Sequence, residues 1–196
     1  MEQVVSTIAE PRALAMVPPF VVCGEQAILS GRPRGAELLG AVMDHLLAAP
    51  DRSVTPMDLA GVSFMDVSCA DELLSKLLRR IRSGELGARY VYLQGANPSV
   101  EETIETVLHL RALAVLARQG EGVAVIGELK RPLREALEVL LEHKAITSSQ
   151  LARALGKNTN IVCNRLNALQ RMGLACRLRE GSVAGGGRQY YYVSIL

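Results

Sequence analysis

No apolar run in this 196-residue chain approaches the roughly 20 residues that a helix needs to cross a bilayer, so no membrane span is expected. The four cysteines, Cys23, Cys69, Cys163 and Cys176, form no C-x-x-C pair. That spacing argues against a zinc knuckle or a thioredoxin-like motif and predicts four free thiols. His45, His109 and His143 lie in separate segments, and none has a second ligand at metal spacing. Neither a metal site nor a cofactor is expected. There is no G-x-S-x-G context around a serine, and Gly185-Gly186-Gly187-Arg188 lacks the lysine and following helix of a phosphate-binding loop. A non-enzymatic protein is expected. In the first 30 residues, Glu2 and Glu10 stand where a signal peptide would be basic. Pro11, Pro18 and Pro19 interrupt any apolar stretch there, so the expected location is the cytoplasm.

The chain has enough apolar material for a packed core: 49% of residues are hydrophobic and 21% are charged. The formal net charge of +2 hides an asymmetry. Residues 1–129 carry 11 Lys/Arg against 16 Asp/Glu, a balance of −5, while residues 130–196 carry 11 against 4, a balance of +7. The change of sign predicts two modules, 1–129 and 130–196, the second suited to a polyanion.

The first module alternates strands and helices. Phe20 to Cys23 and Gln26 to Ser30 flank Gly24-Glu25, which reads as a hairpin turn. Leu39, Val42, Met43, Leu46 and Leu47 predict a helix over 34–48, and a strand follows at 53–59. A second helix is expected over 68–82, a strand over 89–93, a long helix over 98–118 capped by Ser99, and a strand over 123–126. This alternation implies an α/β fold.

In the second module, Pro132 suits the first turn of a helix ending near His143. Thr147-Ser148-Ser149-Gln150 is a capping box opening a short helix to Leu155, stopped by Gly156. A third helix over 160–172 follows Asn158 or Thr159 as cap, with Gly173 as its stop. Strands at 174–178 and 188–194 close the module around a glycine-rich tip. Residues 146–175 resemble the core of winged helix-turn-helix bacterial transcription regulators, the group that includes MarR-like and ArsR-like repressors. The resemblance implies that double-stranded DNA is the partner and that the protein is a homodimer. Val162, Leu166 and Leu169 should face the core. Thr159, Asn160, Asn164 and Asn167 should face outward, with Arg165 and Arg171 at their flanks, as readers of base edges. Arg177, Arg179 and Arg188 flank the tip and are candidates for phosphate contacts. The stretch between Glu142 and Glu180 contains no acidic residue, which favours DNA.

The segment 58–77 resembles STAS-type domains, small α/β modules related to bacterial anti-sigma-factor antagonists. Phe64-Met65-Asp66-Val67-Ser68-Cys69 matches the loop whose second serine is phosphorylated in those antagonists. Ser68 takes that position, while Val67 and Cys69 replace a serine and a glycine. Asp58-Leu59-Ala60-Gly61-Val62, Cys69-Ala70-Asp71-Glu72-Leu73 and Ser30-Gly31-Arg32 are similar to a STAS-like domain of unknown function. Ser68 therefore has two readings, a plain helix cap or a regulatory phosphosite. The whole reads as a cytoplasmic transcription regulator, an N-terminal STAS-like α/β domain followed by a winged helix-turn-helix. The alternative is an adaptor in a partner-switching pathway, docking to a kinase-like ATPase or another regulatory protein.

Overall fold

The computed structural model describes residues 14–24, 27–178 and 190–196 in full and the strand backbone at 179–182 and 188–189. The class is α/β. In chain order the elements are β1 (Ala15–Met16), β2 (Phe20–Val21), β3 (Ala27–Leu29), α1 (Gly31–Ala48), β4 (Ser53–Asp58) and β5 (Val62–Met65). A continuous helical stretch follows: α2 (Val67–Ala70), a π-helical turn (Asp71–Ser75) and α3 (Lys76–Ser83). Then come β6 (Arg89–Gln94), α4 (Pro98–Leu110), β7 (Ala114–Gln119) and β8 (Gly122–Gly127). The C-terminal part comprises α5 (Arg131–His143), β9 (Ala145–Thr147), α6 (Ser148–Leu155), α7 (Thr159–Arg171), β10 (Ala175–Ser182) and β11 (Arg188–Ser194).

The main sheet has the order β1–β4–β6–β7–β8, with β2 also pairing to β4. All its pairs are parallel except β7–β8. Both faces are buried, and the period-2 alternation of strands sorts the side chains between them. Met57, Val91, Leu93, Val115 and Ala117 join the core under α1, α3 and α4. Val54, Tyr90, Tyr92, Ala114 and Leu116 join a second core with Leu137 and Leu140 of α5, Leu166 and Leu169 of α7, and Cys176 of β10. The C-terminal segment thus lies on the far face of the sheet. It has a sheet of its own, antiparallel, in the order β10–β11–β9.

Gly35 shows why α1 sits so close to the π-helical turn. A Cβ at Gly35 would come 2.7 Å from Cβ of Glu72 and 2.8 Å from the Cys69 carbonyl oxygen. Any side chain there would push the two helices apart.

Three expectations fail. There is no hairpin across Gly24-Glu25: β2 pairs in parallel with β4, and β3 in parallel with β5. The chain crosses from one sheet to another there, although Glu25 itself lies outside the described residues. The helix expected over 98–118 ends at Leu110, and its tail is β7. Ala112 makes the break at φ 51°, a left-handed conformation with no glycine or proline to announce it. The cap of α4 is Asn97, whose side chain accepts from the Val100 N–H at 3.0 Å, rather than Ser99. The sequence pattern marks no strand at β9, which is three residues long.

Candidate nucleic-acid interface

α7 is positioned by its own chemistry at both ends. The Asn158 side chain accepts from the Asn160 N–H at 2.8 Å, capping the start. Gly173 stops the helix at φ 77°, and a Cβ there would meet Cγ2 of Ile81 at 2.8 Å. Val162, Leu166 and Leu169 are fully buried, so one face of α7 is the core face expected of it. α6 opens with the expected capping box: Thr147 Oγ1 accepts from the Gln150 N–H at 3.2 Å, and the Thr147 N–H donates to Gln150 Oε1 at 2.8 Å.

The candidate contact residues divide into three groups. Thr159, Asn160 and Asn164 are exposed on the first half of α7, beside the exposed Ile161. Arg165 and Asn167 face inward instead. Arg165 is only 14% exposed and lies 3.4 Å from a Glu135 carboxylate oxygen on α5. Asn167 Oδ1 accepts from the Tyr192 hydroxyl at 2.8 Å, tying α7 to β11. Arg171 is exposed at the opposite end of the helix. Arg177 is exposed and stacks over the Tyr190 ring at 4.8 Å. The side chains of Arg179 and Arg188, with the tip 183–187 between them, lie outside the described residues. Three further exposed cations, Arg153, Lys157 and Lys144, surround α6 and α7. Among the described residues of 143–178 no carboxylate intervenes.

The second candidate is the corner around Ser68. Here the helix cap is Asp66, not Ser68. Asp66 Oδ1 accepts from the Cys69 N–H at 2.7 Å, while Oδ2 accepts from the Ser30 hydroxyl at 2.5 Å and the Gly31 N–H at 2.8 Å. One carboxylate thus starts two helices, and the Ser30 hydroxyl holds its pKa below the usual range. Ser68 is the second residue of the helix, exposed in its first turn, and lines a cavity of about 330 Å³ with Arg32, Arg111, Asp71, Val67 and Leu110. Arg111 makes a two-pronged contact with Asp71, Nε at 2.8 Å and Nη2 at 2.6 Å, which lowers the Asp71 pKa. Arg32 lies 3.9 Å from Asp71 and 3.3 Å from Glu72, and Lys76 also pairs with Glu72. Around this corner Ile28, Phe64, Val67 and Leu110 are exposed, with Ile28 and Phe64 directly opposite each other across β3 and β5. The neighbouring Cys69 thiol is pushed up to about 11 by burial.

The sequence offered no sign of two features. The Glu135–Arg165 and Tyr192–Asn167 contacts join residues 25 to 30 positions apart. Arg32, Arg111 and Asp71 meet only because α1, the π-helical turn and the end of α4 converge.

Among the described residues, no helix is long and apolar enough to cross a membrane. No group of three or more His, Cys, Asp or Glu could hold a metal ion there. No protein-family model matches the chain, and no curated protein matches it significantly.

Proposed function

We propose that the protein is a cytoplasmic DNA-binding transcription regulator, acting as a homodimer without a cofactor or catalytic activity. The observation that carries this reading is the exposed first half of α7. It presents Thr159, Asn160 and Asn164 beside exposed cations that no ion pair engages among the described residues, with Glu135 paired to the inward-facing Arg165. The order α5, β9, α6, α7, β10, β11 supports a winged helix, with α7 as the helix inserted into the major groove. Asn side chains suit the adenine edge, and Arg153, Lys157, Arg177, Arg179 and Arg188 supply charge for phosphates. The first 129 residues form the sensing part, read as STAS-like on the strength of β5 leading through Asp66 into the helix that carries Ser68.

The test is a salt titration of binding to duplex DNA. Affinity should fall steeply between about 50 and 200 mM salt, because several neutralised phosphates release counterions. Binding that does not weaken over that range overturns the proposal.

A second reading has its own observation in the Ser68 corner. An exposed serine beside two arginines and four exposed apolar side chains fits a protein-docking surface. On that reading the chain is an adaptor for a kinase-like ATPase or another regulatory protein, and Ser68 is a phosphosite. The pairing of Asp71 and Glu72 with Arg32, Arg111 and Lys76 reduces the repulsion a phosphate would meet there. An adaptor leaves a random duplex unshifted.

A further inference from the structure

We propose that the cleft between the two cores is a binding site for a small organic anion with an apolar body. The cleft encloses about 410 Å³, within the size range of small-molecule sites. Arg82 at the end of α3, Lys130 just before α5 and Arg171 at the end of α7 line it together. All three are exposed, and none is in an ion pair among the described residues. Glu128 is the single carboxylate in the lining. Three like charges around one cleft repel one another, and an anion placed among them relieves that repulsion. The half-buried Leu133 and Met172 supply the apolar wall.

The cleft is held by the packing around it. Next to Arg82, Ile81 is seated against Gly173, where a Cβ would fall 2.8 Å from its side chain. Next to Lys130, Leu129 is buried in the second core. The three cations therefore stand on supports that both cores fix.

A DNA phosphate is the rival occupant. Arg171 stands about 18 Å along the helix axis from Thr159, at 1.5 Å per residue, so a helix inserted by its first turns leaves Arg171 away from the base edges, and the experiment below separates a backbone phosphate from a small anion. A ligand held by Arg171 would bear on the orientation of α7. That consequence rests on the DNA reading, whereas the binding itself does not.

The test uses the full chain and two fluorescent probes, 8-anilinonaphthalene-1-sulfonate and its uncharged relative N-phenyl-1-naphthylamine. The sulfonate should bind, and Arg82→Ala with Arg171→Ala should weaken it about tenfold or more, as expected for lost charged contacts. Glu128→Gln should tighten it. Arg34→Ala, on α1 and outside the cleft, should leave it unchanged. Lys130→Met, which keeps an apolar stem, should weaken the sulfonate even if the double variant folds poorly. No sulfonate binding, equal binding by the double variant and Lys130→Met, or equal response of both probes to the charge deletions each overturns the site. If Arg82→Ala lowers affinity for a random duplex while sulfonate binding stays unchanged, the cations belong to nucleic acid and the ligand site is overturned. Failure of duplex binding with sulfonate binding intact overturns the DNA reading alone.

Discussion

The two exposed corners of this molecule treat charge in opposite ways. Around Ser68, Arg32, Lys76 and Arg111 each have a carboxylate partner, and those ion pairs join α1, the π-helical turn and α4. Around α7, Arg153, Lys157, Lys144 and Arg171 are exposed, and no ion pair engages them among the described residues. Surface pairs contribute little individually, about 0–1 kcal/mol, so the first arrangement chiefly fixes geometry. Cations without an ion pair tie no elements together: Arg153 and Arg171 complement the C-terminal ends of their helix dipoles, and their charged heads stay accessible to an external anion. The contrast separates a corner where charge organises the protein from one where it is offered to a partner.

The largest effect should come from the core that underlies both corners. Leu166→Ala should cost about 2–5 kcal/mol, read as a loss of melting temperature, because Leu166 is fully buried between the sheet and α5. The same shared core predicts that separate fragments 1–129 and 130–196 lack the cooperative melt of the full chain, since Val54, Tyr90, Tyr92 and Leu116 lose their cover. A sharp melt of either fragment would show that the two corners stand on independent supports.

Two asparagines on one helix then sharpen the comparison. Asn164→Ala should lower affinity for a specific duplex by about 1–3 kcal/mol, leave random duplex nearly unchanged and spare stability. Asn167→Ala should do the reverse. It loses the bond from the Tyr192 hydroxyl, about 0.5–1.5 kcal/mol of stability, with base preference intact. Parallel melts and duplex titrations of the two variants decide it.

At the Ser68 corner, Asp66→Ala should cost about 0.5–2 kcal/mol through loss of a helix cap, and more if the Ser30 and Gly31 contacts are also counted. Ser68→Ala should leave the melt nearly unchanged, because it is not the cap. If Ser68→Ala instead matches Asp66→Ala, the assignment of the cap is wrong.

The smallest effect is a pH dependence. Asp66 is held below its usual pKa chiefly by the Ser30 hydroxyl, and Asp71 chiefly by Arg111. Folded, both bind protons less readily than in the unfolded chain. Their contribution is therefore complete above the unfolded value, near pH 4, and is lost as pH falls through the lower folded values. Melts between about pH 5 and 3 should show a shallower decline for Asp71→Asn than for the wild type. Identical slopes would mean that the Arg111 contact carries no proton linkage.

The local features of the C-terminal segment were legible residue by residue. The Thr147 box, the cap next to Thr159, the buried stripe of Val162, Leu166 and Leu169, and the stop at Gly173 are all encoded within a few positions of where they act. Short-range hydrogen bonds and a 3.6-residue period need no distant neighbour. The sheet was legible where strands were marked by turns, at 53–58, 89–94 and 122–127. It was not legible at 114–119, where an apolar run buried on both faces carries no strand-specific alternation. Nor could spacing assign partners. β2 and β3 look like two arms of a hairpin until β4 and β5 compete for them. Arg165 and Asn167 look like free contacts until Glu135 and Tyr192 reach them across the fold. By itself, then, the sequence determined the α/β class, the capped helices and the division of charge. Only the tertiary structure decided which strands pair, which cap starts the Ser68 helix, which cations are left unpaired and that Arg82 shares a cleft with Lys130 and Arg171. The strand partners, the unpaired cations and the cleft depend on residues far apart in the chain, whose meeting is governed by packing of the whole core; the cap is local, but Asp66 and Ser68 are both acceptable cap residues and only the structure shows which one starts the helix.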